Sequence, residues 1–217
     1  MRVGRTGRLL LGLAVVAVAV GPAAARPAAV RPGAVRLAVP VPGASLAGRG
    51  GAGVLSVLQL NLCNSGMAGC YRGGRSVPEA AAVIAAVHPD AVTLDEICRQ
   101  NLTPLAAAMR QAFPGGVTAS HFQAVHDRDD SLSSCVDGDQ YGIGIIVHLP
   151  AGSPGPAFGG GEYPGQDGHH GERRVWECLY VIGSHYVCAT HLSAFDRDRA
   201  LAQCRYLMNT AIPATQA

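Results

Sequence analysis

The strongest constraint on this chain is a strand-helix-strand unit near its first third. The run Val54-Leu55-Ser56-Val57-Leu58-Gln59-Leu60-Asn61 has strand composition and ends in an amide. A Gly-rich loop from Cys63 to Arg75 follows, then Ser76-Val77-Pro78-Glu79, which has the Ser-x-x-Glu form of a capping box ahead of a helical stretch to Val87. Residues 91–94 make the second strand, inside His88-Pro89-Asp90-Ala91-Val92-Thr93-Leu94-Asp95-Glu96. Two strands joined through a helix must be parallel with a right-handed crossover, so Asn61 and Glu96 are expected side by side at one edge of a sheet.

Beyond that unit, Thr103-Pro104 predicts a helix start and Pro114-Gly115-Gly116 its end. Residues 117–125 predict a strand, 127–139 a polar loop, and Tyr141 to Val147 a buried strand whose Gly142 and Gly144 suggest a bend or a close backbone approach. Residues 150–171 read as a Gly/Pro-rich loop. Residues 173–182 and 185–190 read as a hairpin over Gly183-Ser184, and 197–209 as a last helix. The order β-α-β-α-β-β-β-β-α mixes parallel and antiparallel strands, which predicts a mixed-sheet α/β sandwich and excludes a pure Rossmann or TIM layout.

Composition bounds the setting. At 217 residues, 48% apolar and 15% charged, the chain is long enough for a real core and too apolar to be disordered. Residues 1–25 read as a signal peptide: Arg2, Arg5 and Arg8, an apolar stretch over 9–20, then Ala23-Ala24-Ala25. A membrane anchor is the rival reading of that segment. Removing it would take the formal charge from +2 to −1, because three Arg leave. No basic run then marks a nucleic-acid partner, and no permanent membrane anchor is expected. Residues 26–53 read as a flexible Ala/Pro/Gly-rich leader and 54–217 as the folded domain. Seven Cys suit a secreted, oxidised protein, and the odd count leaves one without a partner in the chain. Cys63 and Cys70 can close their short loop. Cys178 and Cys188 sit on the two hairpin arms, but strict alternation about a two-residue turn sends them to opposite faces, so that pairing needs a different turn.

Three polar side chains at strand exits carry the chemistry: Asn61, Glu96 and His191, the last in Val187-Cys188-Ala189-Thr190-His191-Leu192. Glu96 is a hard-oxygen anchor for Mg²⁺, with Asn61 able to ligate or position through its amide. His191 can donate to a phosphate oxygen or move a proton near neutral pH. Other candidates are Arg173 or Arg174 as a phosphate fork, His169-His170 for a metal, and Asp127, Asp129, Asp130, Asp137 and Asp139 for Ca²⁺, though the last group lacks EF-hand spacing. Gly142-Ile143-Gly144 is no dinucleotide fingerprint. Trp176 reads as core.

Leu58-Gln59-Leu60-Asn61, Pro89-Asp90-Ala91-Val92-Thr93-Leu94-Asp95-Glu96, Tyr141-Gly142-Ile143-Gly144-Ile145 and Thr190-His191-Leu192 together resemble the endonuclease/exonuclease/phosphatase (DNase I-like) family over residues 54–209. Asp95 stands where that family commonly has Gln. The resemblance implies a DNase I-like sandwich and a secreted, metal-dependent phosphoesterase. Its catalytic residues would be His191, Glu96 and Asn61. Its metal ligands would be Glu96 and Asn61, with Mg²⁺, Mn²⁺ or Ca²⁺ bound, and its partner would be a phosphate-ester substrate of unspecified class. The family's later Gly-Asp-x-Asn strand and C-terminal Asp-His pair have no counterpart here. The expectation is therefore an N-terminal portion, lacking the second sheet's share of the core and inactive if the missing motifs are essential. A non-catalytic binding or remnant domain of the same fold is the alternative. A small exported disulfide module with incidental Asn, Glu and His is the unrelated one.

Overall fold

A computed structural model describes residues 55–168, 171–180 and 186–215. The signal and leader readings, His169-His170 and the Gly183-Ser184 turn lie outside the described residues. Strand β1 (Val57–Asn61), helix α1 (Ser76–Val87) and β2 (Ala91–Cys98) form the expected parallel unit, with Asn61 opposite Asp95 in register. A short 3₁₀ turn (Arg99–Asn101) leads into α2 (Leu102–Ala112), then β3 (Val117–Ala124) and β4 (Tyr141–Leu149). The first sheet runs β1-β2-β4-β3, with β4 antiparallel to both neighbours. A second, antiparallel sheet holds β5 (Ala157–Glu162), β6 (Val175–Tyr180) and β7 (Tyr186–Thr190). Helix α3 (Arg197–Tyr206) continues through a wider π turn (Leu207–Ala211) into a last turn, α4 (Ile212–Ala214). The mixed α/β fold expected from the sequence is what forms. A second sheet of three strands is present: the expected hairpin supplies two, and Ala157–Glu162 forms the third inside a stretch that reads as loop.

Strand periodicity explains the layers. On one face of the first sheet Leu58, Leu60, Val92, Leu94 and Ile146 meet Ile84 of α1 and Leu105 and Met109 of α2. On the other face Val57, Ala91, Ile143, Ile145 and Val147 meet Val175, Leu179, Val187 and Ala189 of the second sheet. The outward face of that sheet, with Trp176 and Cys178, is covered by Leu207 and Ala211. Each fully buried Leu or Ile contributes about 1.5–3 kcal/mol relative to an exposed one. The order is therefore helices, sheet, sheet, helix.

Local chemistry differs from expectation at two helix starts. Arg75 occupies the α1 cap position without a side-chain cap. Ser76 instead donates its hydroxyl to Asn64 Oδ1 (3.2 Å), and Glu79 pairs with Arg75 at 3.6 Å, so the capping box does not form. Before α2, buried Asn101 accepts from the Cys98 backbone N–H at 2.8 Å and from Asn64 Nδ2 at 2.9 Å, tying the loop after β1 to the helix start.

Three disulfides join Cys63–Cys70, Cys98–Cys135 and Cys178–Cys188, leaving Cys204 as a free thiol. The hairpin register corrects the two-residue turn: Tyr180 pairs with Tyr186, so five residues lie between the arms, and Cys178 faces Cys188 directly. One step of register decides whether that pair can form.

The two glycines of β4 serve close approach. A Cβ on Gly142 would run into the Gln123 carbonyl of β3, which is backbone and cannot yield. One on Gly144 would press on the Ile97 and Leu102 side-chain ends, at 2.8 and 2.9 Å, with the His121 carbonyl at an ordinary 3.5 Å. Gly142→Ala is expected to cost about 1–3 kcal/mol through overpacking, and Gly144→Ala distinctly less. Urea denaturation of both variants checks the order, and equal losses would contradict it.

Candidate functional site

A β-bulge builds the site. Between Leu94 and Ile97 the β2–β4 register shifts, so Asp95 and Glu96 together oppose Ile143 alone. Glu96 takes φ of 55°, a left-handed conformation that a non-glycine residue holds only under external restraint. The restraints are visible: Leu62 N–H donates to Asp95 O (3.0 Å) and Asn64 N–H to Glu96 O (2.8 Å). In an unbroken strand, alternation sends Asp95 and Glu96 to opposite faces. The bulge re-aims Glu96 to the face that carries Gln59, Asn61, Thr93 and Asp95, the face turned toward the second sheet.

Asn61 donates Nδ2 to Glu96 Oε1 at 2.7 Å and accepts the Cys63 backbone N–H on Oδ1 at 2.9 Å. Its amide oxygen is thus committed to the loop and its nitrogen to Glu96. In this arrangement Asn61 positions Glu96, and the ligand role expected for it is filled by no atom turned toward that carboxylate. From the opposing sheet, alternation along β7 points Ala189 inward, Thr190 outward to the Tyr163 hydroxyl (2.8 Å), and His191 inward. His191 Nε2 lies 3.6 Å from Glu96 Oε1. The three side chains anticipated from the sequence therefore sit together, and Glu96 and His191 stay accessible, with 19% and 22% side-chain exposure.

Around Arg174, one of the two Arg named from sequence, stand Asp167, Glu172 and Tyr141, which the sequence did not single out. Arg174, buried, donates Nε to buried Asp167 (3.2 Å), Nη1 to Glu172, and Nη1 to His191 Nδ1 (3.2 Å). Tyr141 hydrogen-bonds Glu172. Tyr141, Glu172, Arg174 and His191 are among the residues that line a cavity of about 10 Å³, close to the room one water needs. Both Arg named from sequence line this cavity, but only Arg174 bonds His191, while Arg173 pairs with Asp130 (2.5 Å) and Glu162 (3.0 Å). The signal available was Gly-Glu-Arg-Arg leading into a strand that also faces the core; nothing local distinguishes its two Arg.

Electrostatics follow from burial. Desolvation, reinforced by the Arg174 charge, pushes the His191 imidazole down to about 4, so the ring is neutral at physiological pH and its contact with Glu96 is no ion pair. Arg174 can only donate, so Nδ1 must accept and the ring proton resides on Nε2, facing Glu96. Asp95 is pushed up to about 8 by burial and then by the neighbouring Glu96 charge. Gln59 Nε2 donates to one of its oxygens at 2.9 Å, and the other finds no partner. At neutral pH Asp95 is a protonated acid. Burial likewise raises Glu172, partly offset by Arg174.

The remaining acidic candidates fasten turns. Asp129 accepts from Ser131, Asp127 from the Ser133 hydroxyl (2.6 Å), and Asp139 from the Gln100 N–H (2.7 Å). Among the described residues they form no group within common ligand reach. Asp137 alone approaches such a group, beside the Cys98–Cys135 disulfide.

Solved structures offer a likeness in fold. The chain is similar in fold to part of an endonuclease/exonuclease/phosphatase. The match is to the crystal structure of that protein from Beutenbergia cavernae DSM 12333, at 21% identity and TM-score 0.46, covering 72% of this chain and 43% of that one. TDP2 from Caenorhabditis elegans matches at 18% identity and TM-score 0.43, covering 67% of this chain and 40% of that one. The chain thus spans under half the length of either. No protein-family profile matches the sequence, and no curated protein matches it.

Proposed function

We propose that this domain is the Glu96-bearing part of a secreted, metal-dependent phosphoesterase site. The observation that supports the reading is the convergence of Asn61, Glu96 and His191 from three strand ends onto one accessible edge between the sheets. The donor set suits a hard divalent cation: one re-aimed carboxylate, with most positions left to water and phosphate, is how Mg²⁺ is commonly held. Glu96 would hold the ion. Bound there, Mg²⁺ would supply charge neutralisation at a phosphoryl oxygen during attack by water.

The residues of the chain do the rest. Asn61 holds the Glu96 carboxylate through its Nδ2–H. Arg174 fixes the His191 tautomer, so Nε2–H points at the space beside Glu96 and can donate to a phosphoryl oxygen as charge grows on it. Because His191 is neutral well below pH 7, it serves as a hydrogen-bond donor rather than as a charged acid. Secretion fits three disulfides, and among the described residues no helix is long and apolar enough to cross a membrane.

The test is hydrolysis of bis-p-nitrophenyl phosphate with Mg²⁺ against an EDTA control. Glu96→Gln is expected to remove turnover. His191→Ala should lower kcat about 10²–10³-fold, the scale of a lost transition-state hydrogen-bond donor. Turnover that is insensitive to EDTA, or unchanged in Glu96→Gln, would overturn the reading. No turnover at all, with Mg²⁺ still bound, would favour the non-catalytic binding alternative.

A further inference from the structure

The loop that clamps Glu96 carries a disulfide against it. Cys63 follows two residues after Asn61, with φ of 47°, held there by its N–H bond to Asn61 Oδ1. The Cys63 Sγ, the Cys70 Sγ and a Glu96 carboxylate oxygen all lie within 4.8 Å of one another. Cys70 is exposed and Cys63 half-buried; Cys98 and Cys135 are 2% and 4% exposed, and the third bridge has Cys178 at 2% and Cys188 half-buried, so neither other bridge has an exposed end. A reductant therefore reaches Cys63–Cys70 before the other two bridges, and exposed disulfides are the labile ones.

We propose that this bridge is a redox-gated soft-metal site: reduction of Cys63–Cys70 creates a Cys₂Glu centre for Zn²⁺ that takes Glu96 as its third ligand. A dithiol reductant gives two electrons and two protons to the Sγ–Sγ bond, leaves as its own disulfide, and frees two thiols. Zn²⁺ then binds both sulfurs as thiolates with release of two protons, and water completes the tetrahedron. Ligand atoms on one tetrahedral zinc sit roughly 3.5–3.8 Å apart, so side-chain rotation from the present spacing suffices. Two thiolates and one carboxylate select zinc over magnesium, which favours oxygen donors alone. The buried Cys98–Cys135 pair beside Asp137 offers the same donor types, two sulfurs and a carboxylate, but its sulfurs lack the access. The centre stands on the three side chains alone. Its consequence, that reduction with zinc withdraws Glu96 from phosphoester chemistry, rests on the function proposed above.

The experiment uses the full chain and Co²⁺ as a spectroscopic stand-in for zinc. Limited dithiol treatment is followed by alkylation of a portion and mass spectrometry, to fix the point at which Cys63 and Cys70 alone have opened. The rest is titrated with Co²⁺ in the absence of excess reductant. Expected are one equivalent bound, a sulfur-to-cobalt charge-transfer band, tetrahedral visible bands, and displacement by Zn²⁺. Glu96→Gln should weaken binding by about tenfold or more, at least the loss seen for outer-shell partners of metal sites. The double variant C63S/C70S, which retains Cys204, should lose the charge-transfer band. If that variant does not fold, reduced and alkylated wild-type protein takes its place. Absence of the band with both thiols free, an unchanged band after removal or alkylation of both, or earlier opening of Cys98–Cys135 would each overturn the proposal. Loss of turnover on reduction without cobalt binding would count against the metal centre while leaving the phosphoesterase reading intact.

Discussion

Replacing Arg174 with Met is expected to cost about 3–5 kcal/mol of stability, the scale for removing one partner of a buried ion pair. Met keeps most of the stem volume, so the loss would report charge rather than packing. Arg174 and Asp167 each have only 3% side-chain exposure, and Glu172 has 28%. Without the guanidinium, buried Asp167 loses its 3.2 Å ion pair, and its Oδ1 already has no hydrogen-bond partner among the described residues. Adding Asp167→Asn to Arg174→Met should recover part of the loss, because both ends of the pair are then neutral. Lys at 174 is not expected to restore it: a point charge cannot serve Asp167, Glu172 and His191 Nδ1 from one planar fork. Urea denaturation under oxidising conditions measures all three. A loss below about 1 kcal/mol for Arg174→Met, typical of exposed pairs, would show that solvent already screens the cluster.

The buried Glu177 and Asp95 carboxyls are expected to lower stability as pH rises from about 4.5 to about 8, against a gain from buried neutral His191 between about 4 and 6.5, and Glu177→Gln should remove its share of the fall. Glu177 is 1% exposed between Val175 and Leu179 on the inner face of β6. Burial pushes its carboxyl up to about 7, against the lowering effect of the hydrogen bond and charge of His121. The sign follows directly. Between the unfolded value near 4.5 and the folded one, the native state holds a proton that the unfolded state has released. Stability from this group is therefore full below about 4.5 and lost as pH passes through about 7. The charged and titratable groups facing it are His121 of β3, at 2.7 Å and stacked on Phe158, and Asp95 of β2. Asp95, raised to about 8, adds a loss of the same sign that ends slightly higher. For Glu177 alone the span corresponds to about 3 kcal/mol. Equilibrium unfolding across pH 4–9 checks it, and an unchanged profile in Glu177→Gln would assign the slope elsewhere. The same variant should be the more stable protein at pH 8, since the amide removes a charge and keeps a donor and an acceptor.

Both predictions concern residues of the face between the sheets, where polar groups interrupt an apolar layer. Two hydrogen-bonded groups run through it: Thr93 donates to Gln59 and Gln59 to Asp95, and His121 bonds Glu177. Each satisfied bond there is strengthened by the low dielectric, and each orphaned atom costs more for the same reason. Asp95 Oδ1 and Glu177 Oε1 are two such atoms, which is why carboxyls that stay protonated are tolerated at these positions.

What the sequence determined by itself is whatever depends on neighbours along the chain. Alternating apolar residues and glycine-rich breaks mark six of the seven strands. The parallel unit then forces Asn61 beside the Asp95-Glu96 pair, and alternation along β7 turns His191 to the inner face. Tertiary structure decided the rest. The bulge at Glu96 exists because the backbone of residues 62–64 holds it open, and no local pattern announces a left-handed glutamate. The Cys178–Cys188 pairing turns on one step of register, set where the two arms pack and not by turn composition. Strand β5, with three consecutive glycines, has no apolar period of its own and is a strand because β6 supplies its hydrogen bonds. Arg174 differs from Arg173 only in what surrounds it once the sheets close. Burial, register and backbone strain are properties of contacts between distant segments, and those contacts exist only after folding.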